Sequence, residues 1–272
     1  MMENNARKRT IELINKYGIV PQVRFSQNFL VDDKKIKKII SSIPLENIEQ
    51  IIEIGPGIGS LTFPLLKTGK DLTVIEFDRD MIKVLEGEFG QNDVHIIQND
   101  ILKQDLSVFH VKHKAYIGNL PYQISRDLIK KILCETNFDY FGFMVQKELG
   151  EKLAYKFKSS NTNVFSVLLK LKGEIELVAE LDPISFYPSP KIQSWFMKFI
   201  PNSDYDIDLE TFDILAAIFK NPKKNIWNNL KQSKYKIQRE DLEKIGVSPL
   251  KRSHELPIDD IKKIIAFVKS IN

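Results

Sequence analysis

The chain has 272 residues, of which 40 are Lys or Arg and 36 are Asp or Glu, for a formal net charge of +4. With 43% hydrophobic residues and 17 Phe to bury, disorder as the main state is excluded, and the length suffices for one large domain or a large plus a small one. No apolar run approaches the roughly 18 residues of a membrane span. The polar, basic stretch Met1–Thr10 lacks the apolar core of a secretory signal, and the single Cys134 excludes an internal disulfide framework. A cytoplasmic monomer with no membrane partner is expected, and a pI of about 8.8 permits a nucleic-acid partner.

Residues 1–22 read as an N-terminal helical extension. Short apolar runs at 50–54, 72–76, 94–98, 115–118 and 140–145 predict buried strands. Between them, 60–69, 79–89 and 125–134 carry apolar residues at helical spacing, with Leu128, Ile129, Ile132 and Leu133 as one such set. Strands alternating with helices predict a parallel sheet covered on both faces. After residue 146 the pattern changes. Stretches 147–157 and 163–171 look helical, whereas 174–181 and 192–200 alternate with period two and predict an antiparallel closing pair, with Pro188 and Pro190 in the loop between. A polar stretch, Pro201–Asp208, marks a second boundary. Beyond it only helices are predicted, at 209–219, 223–232, 240–245 and 257–270; Pro257 with Asp259 and Asp260 suits a helix start. The expected organisation is the extension, an α/β domain over 23–201 and a small all-helical domain over 202–272.

Glu53-Ile54-Gly55-Pro56-Gly57-Ile58-Gly59 follows the first long strand and precedes a helix. Glycines there let the backbone turn tightly against a ligand. The dinucleotide fingerprint wants a third glycine at its sixth position, where this chain has Ser60, and Pro56 removes an N–H from any pyrophosphate cradle. Both points disfavour NAD and a dehydrogenase. Glu76 ends the next strand, where an acid can accept the ribose hydroxyls of a nucleoside. Asp100 follows the third, placed to accept from an exocyclic amine. An adenosine without phosphates points to S-adenosylmethionine, although each acid taken singly is as readily a cap or turn residue.

Gly118-Asn119-Leu120-Pro121-Tyr122 ends the fourth strand. A plain turn leaves the aromatic unexplained. The exocyclic nitrogen of adenine is a poor nucleophile, because its lone pair is delocalised into the ring. Two acceptors aimed at its N–H groups, the Asn119 side-chain oxygen and the Pro121 or Leu120 carbonyl, would free that lone pair. Tyr122 can stack on the base, and catalysis would rest on positioning and preorganised electrostatics. Reaching a base edge in this way requires an unpaired or flipped nucleotide.

Arg24-Phe25-Ser26-Gln27-Asn28-Phe29-Leu30, the Glu53–Gly57 loop, Glu76, Asp100, Asn119–Tyr122 and Phe186-Tyr187-Pro188-Ser189-Pro190-Lys191 together resemble the rRNA adenine N6,N6-dimethyltransferases. The resemblance spans about residues 20–270, with the motifs in the family's order. Met144–Glu148 and Lys223–Leu230 lean toward the small-subunit type rather than the macrolide-resistance type that acts on large-subunit rRNA. The resemblance implies a Rossmann-like S-adenosylmethionine-dependent methyltransferase fold, with a seven-stranded, mostly parallel sheet, a closing antiparallel strand and a helical C-terminal domain that binds RNA. It implies donor contacts at Asn28, Leu30, Gly55, Glu76, Asp100 and Asn119, and catalysis at Asn119, Leu120, Pro121 and Tyr122. Two methyls would go to each of two adjacent adenines in the 3′-terminal hairpin of small-subunit rRNA, within an assembling 30S particle. A non-catalytic RNA-binding factor is the rival from another class. Ser26 replaces the family's usual Gly, a small change that should cost little, and Asn221–Asn225 replaces an arginine-rich run, which bears more on RNA docking than on the chemistry.

From Ile214 to Arg239 there are seven basic residues and no acid, with Trp227 and Tyr235 interleaved. Alone this reads as a solvated face; with the resemblance it becomes a phosphate-tracking surface. Lys147, Lys191, Lys223, Lys224 and Arg252 are the candidate RNA contacts. Lys147, Lys152, Lys156 and Lys158 form a second basic patch, expected beside the active site, and Lys251 with Arg252 a third. The four His are scattered, so no metal site is expected. Phe186 and Tyr187 are either core or base-facing.

Overall fold

The computed structural model describes residues 5–22, 27–90, 93–121, 123–202 and 205–271. Arg24, Phe25, Ser26 and Tyr122 lie outside them. Two compact units divide the chain. One is built from the segments up to Ile132, Thr136–Gly150 and Ile175–Pro201; the other from Leu133–Glu135, Glu151–Glu174 and Asn202 onward.

The first unit opens with α1 (Asn5–Tyr17), β1 (Phe29–Leu30) and α2 (Asp33–Ile40). Asp32 caps α2 by accepting from the Lys34 and Lys35 N–H groups, which satisfies donors a helix start leaves orphaned. There follow β2 (Gln50–Ile54), α3 (Thr62–Leu66), β3 (Asp71–Glu76), α4 (Arg79–Glu88) and β4 (His95–Gln98). Next come β5 (Lys114–Asn119), α5 (Ser125–Glu135), β6 (Tyr140–Gln146) and α6 (Lys147–Leu153). After α7 (Val164–Lys172) the chain returns through β7 (Gly173–Leu181), β8 (Phe186–Tyr187) and β9 (Ser194–Pro201).

Seven strands form one sheet in the order β4-β3-β2-β5-β6-β9-β7. The pairs β2·β3, β3·β4, β2·β5 and β5·β6 are parallel, and β9 runs antiparallel to β6 with Phe143 opposite Met197. Central strands β2, β5 and β6 are buried almost end to end, as expected where helices cover both faces. The two late strands sit at the far edge as expected, with β9 inserted between β6 and β7. Burial explains the order: β9 brings Phe196 and Phe199 to the aromatic core of Phe141 and Phe143, whereas β7 is half-exposed and takes the edge.

Three features differ from the expected elements. The helix expected over 60–69 is confined to Thr62–Leu66, because the glycine loop holds 57–61 in turns. The helix expected over 147–157 stops at Leu153. A separate two-strand ladder pairs β1 with β8, Phe29 opposite Tyr187 and Leu30 opposite Phe186. Phe186 is fully buried and Tyr187 36% exposed, so Phe186 belongs to the core.

In the second unit α7 is followed by α8 (Leu209–Ile218), α9 (Ile226–Lys231), α10 (Arg239–Lys244) and α11 (Ile258–Ile271). Both α7 and α11 pack against α8, as does α9, and Phe165 meets Phe212 edge-on at 5.7 Å. Asp208 caps α8 and also accepts the Lys269 ammonium on both carboxylate oxygens at 2.9 Å. No helix among the described residues is long and apolar enough to cross a membrane.

Candidate active site

Chain order reverses between β2 and β5, since β3 and β4 lie on one side of β2 and β5 with β6 on the other. A crevice opens outside the strand ends at such a switch point. A cavity of about 340 Å³ lies there, and Asn28, Leu30, Gly55, Glu76, Asp100 and Asn119 all reach its wall. Six residues expected from motifs as far apart as 28 and 119 are thus gathered in one place. Gly55 and Gly57 take φ of +64° and +58°, a region side chains avoid, and a Cβ at Gly57 would press on the Phe29 ring at 3.0 Å.

Glu76 is the anchor of the loop. Its Oε2 accepts the Gly57 N–H at 3.0 Å, and its Oε1 accepts the Phe77 and Asp78 N–H groups at 2.8 and 2.9 Å. A carboxylate has roughly four acceptor positions, so one remains for a ligand hydroxyl. Burial raises this carboxyl above the usual range, while the three N–H donors act in the opposite direction. Glu53, on β2 and also on the cavity wall, is pushed up to about 8 by burial, with the neighbouring Glu76 adding to the shift and the Thr62 hydroxyl, donating at 2.7 Å, opposing it. Burial thus favours the uncharged form of Glu53. Asp100 accepts the Leu102 N–H through Oδ1 at 3.0 Å, and its Oδ2 has no hydrogen bond among the described residues.

Asn119 ends β5. Its Nδ2 donates to the Asn28 carbonyl at 3.1 Å, which orients the amide and leaves Oδ1 with no hydrogen bond among the described residues. The turn beyond it distinguishes the two carbonyls considered above. Pro121 O already receives the Ile124 N–H and the Ser125 hydroxyl, both at 3.1 Å, whereas Leu120 O receives no hydrogen bond among the described residues. The Leu120 side chain is buried and does not line the cavity, while Pro121 does.

Several wall residues were given no role by sequence reasoning. Gln27 donates to Asp78 Oδ2 at 2.7 Å and accepts the Gln22 N–H at 2.7 Å, fastening the N-terminal segment to the cap of α4. Phe77 and Ile101 line the cavity directly after the two strand-end acids; the rule that ligands bind outside strand ends could have found them. Gln123, Ile124 and Met144 also line it; Met144 opens the Met144–Glu148 motif, whereas no sequence signal marks Gln123 or Ile124. Ser60, likewise on the wall, has a buried Oγ with no hydrogen-bond partner among the described residues. This orphan, the glycine cradle and the free Asp100 and Asn119 oxygens fit a polar nucleoside ligand such as S-adenosylmethionine.

Among the basic candidates, Lys223, Lys224, Lys191 and Arg252 are exposed. Lys223 and Lys224 form no ion pair among the described residues. Of the same run, Lys234 is neutralised by Asp213 and Arg239 by Glu243. Lys147 lies over the Trp195 ring at 5.8 Å in the first unit, and Lys152, Lys156 and Lys158 belong to the second. Among the described residues no cluster of three His, Cys, Asp or Glu gathers to hold a metal.

The doubly wound sheet, the glycine loop and the acids at successive strand ends define a Rossmann-like methyltransferase dependent on S-adenosylmethionine. The family model for ribosomal RNA adenine dimethylase matches residues 21–270. The chain is 34% identical over 263 residues to ribosomal RNA small subunit methyltransferase A of Malacoplasma penetrans, covering 94% of each chain. It is 33% identical over 228 residues to the protein of the same name from Treponema denticola, covering 80% of this chain and 78% of that one. Among solved structures it superposes on a dimethyladenosine transferase from Plasmodium falciparum with a TM-score of 0.73 and 25% identity, over 87% of this chain and 95% of that one. The 23S rRNA methyltransferase ErmE shares the fold, with a TM-score of 0.63 and 20% identity over 89% of this chain and 100% of that one. The chain belongs to the ribosomal RNA adenine dimethylase family.

Proposed function

We propose that the chain transfers methyl groups from S-adenosylmethionine to N6 of two adjacent adenines in the 3′-terminal hairpin loop of small-subunit rRNA, within an assembling 30S particle. The observation that carries this reading is the Asn119 amide at the switch point, its Nδ2 engaged by Asn28 and its Oδ1 free. In this reading Asn119 Oδ1 accepts one N6 proton of the extruded adenine. The Leu120 carbonyl takes the other, since the Pro121 carbonyl is already occupied within its own turn. An acceptor on each N–H favours a pyramidal nitrogen with its lone pair free. Tyr122 stacks on the base. An amide is no base at neutral pH, so Asn119 polarises and positions, and the departing proton passes to solvent.

S-adenosylmethionine, when bound, supplies an electrophilic methyl carbon on a sulfonium. Asn28, Leu30 and Gly55 are assigned to hold it, with Glu76 accepting a ribose hydroxyl and Asp100 Oδ2 the exocyclic amine. Phe77 and Ile101 flank the donor's purine. Lys147, Lys191, Lys223, Lys224 and Arg252 are assigned to rRNA phosphates, the helical domain over 202–272 to RNA binding, and the enzyme acts as a monomer. The test is labelled-methyl transfer from S-adenosylmethionine to undermethylated 30S particles, followed by mapping. Label on two adjacent adenines of the 3′ hairpin supports the reading. Label only on large-subunit rRNA, or no transfer at all, overturns it.

A further inference from the structure

The loop between α6 and α7 presents Lys156, Phe157 and Lys158 to solvent. Phe157 is 50% exposed, its ring open to solvent beside two lysines. The loop is not slack. Lys156 O receives the Ser159 N–H at 3.1 Å and the Thr162 hydroxyl at 2.6 Å, and Asn163 Nδ2 donates to Lys152 O at 2.7 Å. Lys158 takes a φ of +59°, and its N–H donates to His254 O at 3.1 Å. That bond joins the loop to the Lys251–His254 segment, almost a hundred residues away in sequence. A β-bridge between Asn225 and Arg252, with Ile226 N–H donating to Lys251 O at 2.8 Å, joins the same segment to the loop bearing Lys223 and Lys224. Three basic stretches that are separate in sequence are therefore stitched together within the second unit.

The electrostatics agree with the geometry. The Glu255 carboxyl is held below its ordinary range first by the Arg252 backbone N–H and then by the charges of His254, Arg252 and Lys158. Lys158 Nζ lies 5.5 Å from the Phe157 ring centroid. Lys156 and Lys158 form no ion pair among the described residues. An exposed ring beside two exposed ammonium groups on a pinned loop fits an unpaired nucleotide, whose base offers a π face and whose backbone offers charge.

We propose that this loop is a second RNA contact, in which Phe157 stacks on an unpaired base and Lys156, Lys158 and Arg252 hold the phosphates beside it. The proposal rests on the reading of the substrate as rRNA. Full-length Phe157→Ala, Phe157→Trp and the double variant Lys156→Glu/Lys158→Glu are compared with wild type for equilibrium binding to undermethylated 30S particles and to protein-free 16S rRNA across a salt series. Phe157→Ala should weaken binding to both about 5- to 100-fold, leaving the salt slope and the affinity for S-adenosylmethionine unchanged, while Phe157→Trp restores it. The double variant should lower the salt slope by about two. Wild-type affinity and slope in all variants would overturn the proposal, as would a loss seen with particles but not with protein-free RNA, which would place a protein on this face. If wild type itself neither binds nor methylates the particle, the substrate reading fails instead.

Discussion

Asn119→Ala tests the site most directly. The substitution removes Oδ1, the free acceptor at the end of β5, and the 3.1 Å hydrogen bond from Nδ2 to the Asn28 carbonyl. If Oδ1 gains its partner as the target nitrogen becomes pyramidal, its loss falls on the transition state. Deleting one such preorganised group from an active site lowers kcat about 10²- to 10³-fold, or about 2.7–4 kcal/mol. The donor loses one of many wall contacts, so its Kd should rise less than about tenfold. Asn119→Asp keeps an oxygen but sets a second one against the Asn28 carbonyl, so it too should lose at least about tenfold in rate. Single-turnover methyl transfer to undermethylated 30S particles reads the chemical step, and calorimetric titration with S-adenosylmethionine reads donor binding. A rate for the Ala variant within threefold of wild type would refute the argument. So would a loss confined to donor Kd, because Asn119 would then serve binding alone.

Gly118→Ala should destabilise the fold by roughly 1–3 kcal/mol or more, because its Cβ would run into the Ile54 carbonyl oxygen on the neighbouring strand; an unchanged melting temperature would contradict this. Glu53 binds a proton in the fold up to about pH 8 but releases it near 4.5 when unfolded, so native stability should fall as pH rises through that window. Glu53→Gln should flatten the decline and gain at least about 1 kcal/mol on wild type between pH 5 and 8, and parallel urea-midpoint profiles would exclude it. Asp208 behaves in the opposite sense. Partial burial pushes its carboxyl up, but the Thr211 N–H, the Lys269 ammonium and the Thr211 hydroxyl together draw it down to about 2. Its stabilising effect is present above its ordinary value of 3.8 and lost as pH falls through 2. Asp208→Ala should cost about 1–2 kcal/mol at neutral pH, mainly as a lost helix cap, since the pair with Lys269 is 46% exposed on the Asp side. The gap should close between pH 4 and 2 in thermal melts.

Much of the first unit was legible from residue pattern. Strands buried on both faces read as continuous apolar runs, so β2, β3 and β6 fall within a residue of their expected bounds. That Glu76 and Asp100 would lie at the cavity wall was legible because parallel strands carry the residues at and just past their ends to the crevice at the switch point. Shorter elements were not. A two-residue strand has no periodicity, so the β1–β8 ladder was invisible although it joins Phe29–Leu30 to Phe186–Tyr187. The same ladder settles Phe186 as core.

Local chemistry, written in neighbouring residues, is what this chain's sequence determines alone: the glycine loop that must turn at positive φ, the strand-end acids, the Asn-Leu-Pro-Tyr turn and the order of strands and helices. Tertiary structure alone decided which of those groups are already hydrogen-bonded. Asn119 Oδ1 has no hydrogen bond among the described residues, and the Asn28 carbonyl, 91 residues away, engages the other end of the amide. Pro121 O receives the Ser125 hydroxyl and the Ile124 N–H, and Lys158 meets His254 only in the folded chain. Hydrogen bonds saturate, so which donor reaches each acceptor first is settled by packing across the whole unit, beyond the reach of any sequence window.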